Sequence, residues 1–151
     1  MTDLHSGYGF LPYASGGNCG VWTRVARQIG WDESFAFGAS DIEFAWRAQL
    51  AGFRASFQPS AVVNVRYRTA TSALMNQFFR RGASEPHLFR CFRGSGMPRR
   101  GLVFACGSWA WLVLRFARAL RCREVRGIWL RIAANNCGRL WGSIRWRALY
   151  L

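Results

Sequence analysis

The sequence predicts an α/β part followed by amphipathic helices, on three observations. Residues 40–51 have helical spacing with start and stop signals. Residues 61–65, Ala-Val-Val-Asn-Val, form a short β-branched run after the Pro59-Ser60 break. Everything beyond residue 101 is rich in Trp, Leu and Arg at plausibly helical spacing. The chain has 151 residues, the size of one ordinary domain, and with 51% hydrophobic and 16% aromatic residues it has enough apolar material for a core.

In chain order, residues 7–20 carry turn chemistry: Pro12, then Gly16, Gly17 and Gly20, as in a loop passing close to a ligand or another backbone. Val21, Trp22, Val25, Ala26 and Ile29 predict a helix that Gly30 ends. Residues 31–39 are a loop anchored by Phe35 and Phe37, shaped by Asp32 and Glu33. In the 40–51 helix, Ser40 stands three residues before Glu43, the spacing of a capping box, and Asp41 falls in the first turn, where the helix dipole favours a carboxylate. Phe44, Ala48, Leu50 and Ala51 supply its inner face, and Gly52 stops it. Phe53 to Phe57 alternates, and 61–65 reads as a strand. Residues 70–81 and 84–92 read as two short helices joined near Gly82, then 102–121, 124–137 and 139–150 as three more, with breaks near Cys122 and at Gly138. The Gly/Arg stretch 93–101 is the expected linker between a part at 1–92 and an Arg/Trp-rich helical region at 102–151.

Charge is placed unevenly. The chain carries 21 basic residues, all Arg, against 7 acids, for a net charge of +14. Asp32, Glu33, Asp41 and Glu43 cluster, whereas beyond Glu43 only Glu85 and Glu124 are acidic. A tail so cationic needs an anionic partner or surface. The absence of Lys is equally well explained by GC-rich coding. Five Cys with wide spacing and no C-x-x-C exclude a zinc pattern and a disulfide framework, and read as small core residues in a reducing compartment. His5 and His87 are isolated, so neither points to a metal. No basic and apolar leader opens the sequence, and the run 101–114, interrupted by Arg115 and Arg118, reads as too short to cross a bilayer. The expected location is cytoplasmic, with peripheral attachment to the inner face of the plasma membrane as an option.

Four stretches together resemble one family. F-L-P-Y-A-S-G-G-N-C-G-V-W-T-R looks like a strand and Gly/Asn turn entering an Arg-bearing helix. I-G-W-D-E-S-F-A-F-G is similar to a G-F-D-E-x-F loop. A-S-D-I-E-F-A-W-R-A-Q-L-A-G-F looks like an acceptor-side helix, and F-Q-P-S-A-V-V-N-V-R-Y-R like the strand pair after it. In this order and spacing they resemble the acceptor-side, C-terminal part of family 2 glycosyltransferases of the GT-A fold. The similarity covers about sixty residues and continues more weakly through N-Q-F-F-R-R-G and G-M-P-R-R, towards a galactosyltransferase-C-terminal-like region.

The resemblance implies an inverting transfer of a sugar from a nucleotide-sugar donor to a glycan or lipid-linked acceptor of the cell envelope. Asp41 stands where the family places its general base, and Asn18, Ser40, Trp46 and Arg47 are the implied acceptor-site residues. Ser40 replaces a frequent Glu, and Asn64 replaces a frequent His that could bind metal. Neither a D-x-D motif nor a Gly-rich phosphate loop is present, so a divalent cation, Mg or Mn, is expected only with a donor half, and no turnover is expected without one. Such a piece is expected to need a partner chain, because a lone strand pair is marginal. Gln77 and Arg80 form a Q-x-x-R, but Arg81 stands where processive synthases of that superfamily have Trp, so an ordinary amphipathic helix is the reading there.

Three readings of the Arg/Trp tail stay open. It is an interfacial anchor using Trp109, Trp111, Trp129, Trp141 and Trp146, or helices packed on a catalytic part, or a nucleic-acid binder, which lacks any recognisable module. The alternative to the enzyme is a non-enzymatic basic protein that associates with membranes or partners.

Overall fold

The computed structural model describes residues 4–66 and 68–151, so residues 1–3 of the N-terminal part and Tyr67 of the expected strand pair lie outside the described residues. The α/β expectation is corrected. Among the described residues the regular elements are five helices: α1 (Thr23–Ile29), α2 (Ser40–Leu50), α3 (Thr71–Phe92), α4 (Leu102–Arg121) and α5 (Arg123–Arg145), with short 3-10 turns at Gly16–Asn18, Glu33–Phe35 and Arg93–Ser95. Among the described residues there is no sheet, only an isolated antiparallel bridge between His5 and Tyr13. The run at 61–65 has no ladder, and Val62, Val63 and Val65 are exposed by 78%, 49% and 68%. The physical reason is that strands are stabilised by pairing and by a covered face. A β-branched run that finds neither stays irregular, so the GT-A fold is not formed by these residues.

Packing divides the chain into two compact units, Met1–Arg66 with Gly96–Pro98, and Tyr67–Ser95 with Arg99–Leu151. The first unit is organised by α2. Its inner face combines Phe44 and Ala48 with Val25 of α1, flanked by Ile29 and Phe53, while Leu50, expected inside, is exposed. On another side Trp46 is fully buried under the N-terminal segment, meeting Tyr8, Phe10 and Tyr13 edge-on at ring distances of 5.6, 5.1 and 6.4 Å. Phe35 is buried as an anchor, but Phe37 is partly exposed. The expected capping box is not formed. The N-cap is Ala39, in the left-handed region at φ 64°, and Ser40 already lies inside the helix.

The second unit is built on α3 and α5, with α4 packed on α5. The expected pairs of short helices are single helices here: α3 continues through Gly82 and Pro86, and α5 through Gly138. The glycines act as contacts, not breaks. A Cβ on Gly82 would come within 2.1 Å of the Asn135 carbonyl oxygen, one on Gly138 within 2.2 Å of that of Phe79, and one on Gly142 within 2.3 Å of that of Ala83. Small residues at these positions let two backbones approach closely enough for the flanking side chains to interlock. The crossing also buries Glu85, whose carboxylate receives both arms of the Arg139 guanidinium. Arg139 Nη1 donates to Asn136 Oδ1 at 3.2 Å, and Asn136 Nδ2 donates to Ser108 Oγ at 3.0 Å, so a polar chain links all three helices. His87 is buried and stacked flat on Trp146, with ring centroids 3.6 Å apart. The expected burial of the cysteines is also corrected: Cys19, Cys91, Cys106 and Cys137 are exposed and Cys122 is half-buried.

Candidate functional site

Asp41 lies in the first turn of α2, and the backbone holds both of its oxygens. The Gly16 N–H donates to Oδ2 at 2.8 Å, and the Ile42 N–H to Oδ1 at 2.9 Å. A Cβ on Gly16 would stand 3.1 Å from that of Asp41, so the Gly-rich turn is shaped to let the carboxylate approach the chain. Each carboxylate oxygen can accept more than one hydrogen bond. The group is therefore fixed in direction and still able to receive another donor.

Asp41 is among the residues that line a cavity of about 370 Å³ within the first unit. Its walls include Trp22, Trp31, Phe44, Gln49, Arg24 and Arg54. Trp31 stacks on Phe44 at a centroid distance of 4.4 Å and an interplanar angle of 20°. Trp22 and Trp31 remain 78% and 57% exposed. Water is a poor environment for such large ring surfaces, and a site that leaves them open beside a carboxylate suits a ligand with an apolar face and hydroxyl edges. Gln49 is already engaged, donating to the Pro12 carbonyl at 2.7 Å and to that of Ala45 at 2.9 Å, so it firms the wall.

The other sequence-derived candidates have different roles. The Trp46 indole N–H donates to the Leu11 carbonyl at 2.7 Å, and the ring is wholly inside the fold. Arg47 pairs with buried Glu43 and donates to the carbonyls of Ile29 and Gly30, which fastens the end of α1 to α2. Its hydrogen bond to Glu43 raises its pKa further, against a smaller opposing effect of burial. Asn18 Nδ2 donates to the Ala61 carbonyl at 2.9 Å, tying the Gly-rich turn to the irregular segment that carries the valines. Ser40 is half-buried and does not line the cavity. Of the five, Asp41 alone faces the cavity.

Trp22, Trp31, Arg24 and Arg54 were missed as site residues. Trp22 precedes the first residue of α1 and Trp31 follows the glycine that caps it. Aromatics just outside the ends of a seven-residue helix were a usable signal, because neither can be absorbed by its single buried stripe. No group of three or more His, Cys, Asp or Glu capable of holding a metal occurs among the described residues. Asp41 is the one carboxylate among the cavity's lining residues, and Asn64 is exposed in the irregular segment, so these side chains do not fit a resident divalent cation. No family model, curated protein or solved structure matches the chain.

Proposed function

We propose that the first unit presents a sugar-acceptor site in which Asp41 is the general base of an inverting glycosyl transfer, the nucleotide-sugar site being supplied by another polypeptide. The observation that carries this reading is that Asp41, its carboxylate fixed by two backbone N–H groups, lines one cavity with exposed Trp22 and Trp31. The acceptor lies with its C–H face on a ring and a hydroxyl against Asp41. The hydroxyl oxygen bonds to the anomeric carbon as its proton passes to Asp41, and the bond from that carbon to the nucleotide diphosphate breaks, the electron pair leaving with the phosphate. The resemblance of residues 9–68 to acceptor-side sequences of family 2 enzymes supports the same assignment through Asp41. The reading does not require a GT-A sheet within this chain.

The test is sugar transfer with a nucleotide-sugar-binding half added in trans or by fusion. Asp41→Asn is expected to lower turnover by about 10²- to 10⁴-fold with acceptor KM little changed, the range for removal of a positioned base. Unchanged turnover in Asp41→Asn contradicts the assignment.

A further inference from the structure

The second unit holds all of the net charge. Its sixteen arginines face two glutamates, whereas five arginines and five acids cancel in the first unit. It also holds the one helix, among the described residues, that is long and apolar enough to be a candidate membrane span. α4 has twenty residues, and its best eighteen-residue window has a mean hydropathy of 1.3, with only 17% of that window buried. This corrects the sequence expectation: by length and composition α4 is long and apolar enough to cross a membrane. It is apolar on two sides. Ala105, Leu112 and Ala119 are its buried residues, and α5 is the helix it packs on, with Trp129 donating to the Leu112 carbonyl at 2.8 Å. The opposite side shows Val103, Ala110, Val113, Leu114, Ala117 and Leu120 to solvent, a stripe at helical spacing. A helix with two apolar sides normally has both covered, one by its own fold and the other by a partner or lipid.

Beside the start of α4 lies a cavity of about 330 Å³, lined by Arg81, Arg100, Arg131 and Arg139, with Glu85 and the rings of Phe78 and Phe104. Four guanidiniums against one carboxylate leave it strongly cationic, even with Arg139 bonded to Glu85 and Arg100 3.9 Å from the same carboxylate. Further arginines, Arg115, Arg118 and Arg121, follow along the last turns of α4. An apolar stripe framed at both ends by arginine matches the cross-section of an anionic lipid monolayer.

We propose that the second unit docks on an anionic phospholipid bilayer, with the free side of α4 in the acyl boundary and headgroup phosphates in the arginine-lined cavity. α4 lies along the interface and does not span, because its other side is packed on α5, whose exposed arginines at 123, 126 and 131 belong in the headgroup layer. Insertion uses the aliphatic stripe more than the tryptophans singled out in the sequence: Trp109, Trp111 and Trp129 are half-buried, Trp146 is stacked on His87, and Trp141, on α5, is 39% exposed.

The experiment is flotation of the full chain with vesicles of phosphatidylcholine alone or with phosphatidylglycerol added. Binding is expected to rise at least tenfold with the anionic lipid and to persist in part at high salt, because apolar insertion is not screened. Val103→Asp with Leu114→Asp, at positions 88% and 80% exposed, is expected to lose about tenfold or more in partition with an unchanged circular dichroism spectrum. Arg131→Gln is expected to cost about fivefold, more than Arg147→Gln outside the cavity. Equal binding to both vesicle types, or wild-type binding by the folded double variant, overturns the docking. Equal losses from the two arginine variants overturn the part given to the cavity. Should the double variant unfold, the wild-type comparison of the two lipids still decides.

Discussion

Trp46 and Arg47 are neighbours on α2 that serve two different packing tasks, one closing the N-terminal segment and the other closing the end of α1. Glu43 is 2% exposed, so its charge is tolerated only because Arg47 answers it. Removing one partner of such a pair leaves a desolvated charge. Arg47→Met is expected to lower unfolding stability by about 3 kcal/mol, read from denaturant midpoints, whereas an acceptor-site role would leave stability unchanged and alter only sugar affinity. Tyr150 offers a test by pH. Burial raises its pKa above 10.0, Glu85 adds to the shift, and Arg100 and Arg139 oppose it. The unfolded chain ionises at the ordinary value while the folded phenol stays neutral. Its contribution is therefore complete below about pH 10 and is lost as pH rises towards the folded value. Urea titrations of wild type and Tyr150→Phe are expected to show a steeper loss of stability above pH 10 in the wild type. Parallel curves would show that the phenol is not desolvated.

At the scale of elements, the second unit rests on a crossing that glycine makes possible. Gly82→Ala would force a methyl into the Asn135 carbonyl at 2.1 Å, with backbone and not a flexible side chain in the way. The expected cost is about 3 kcal/mol, seen as a fall in the thermal midpoint, with a similar effect for Gly138→Ala. A gain in stability from either change, as for an exposed helical glycine, would contradict the close approach. The same glycines show why the sequence misleads here. Gly82 and Gly138 carry the local signature of a break, and nothing local distinguishes a glycine that ends a helix from one that admits a neighbouring backbone. Helical periodicity was legible: the spans of α1, α2 and α4 match it closely. The Ser40 and Glu43 spacing also looked local, yet Glu43 is taken by Arg47 one turn on and Ala39 makes the entry. The strand at 61–65 failed for the opposite reason. Its pattern describes a fit to neighbours, and among the described residues no ladder partner is there.

The whole molecule separates its chemistry. A neutral first unit holds a directed carboxylate among open tryptophans, and a second unit with every net charge holds an apolar helix side beside a cationic cavity. Of the proposed site, Asp41 was singled out through the family resemblance, since its first-turn position alone reads as an ordinary dipole-favoured acid. Trp22 and Trp31 stood out only as aromatics flanking α1, and their exposure is a property of packing and not of spacing. Trp46 looked equally suited to a sugar face, yet it is the buried one.

In the proposed function Asp41, Trp22 and Trp31 together form a sugar-acceptor surface. The most direct measurement is a heteronuclear NMR titration of the chain with neutral oligosaccharides, following the indole N–H signals and the Gly16 amide. Saturable shifts are expected at Trp22, Trp31 and Gly16, with Trp46, whose indole is bonded to Leu11, unmoved. Shifts confined to the second unit, or none with any oligosaccharide, would contradict it.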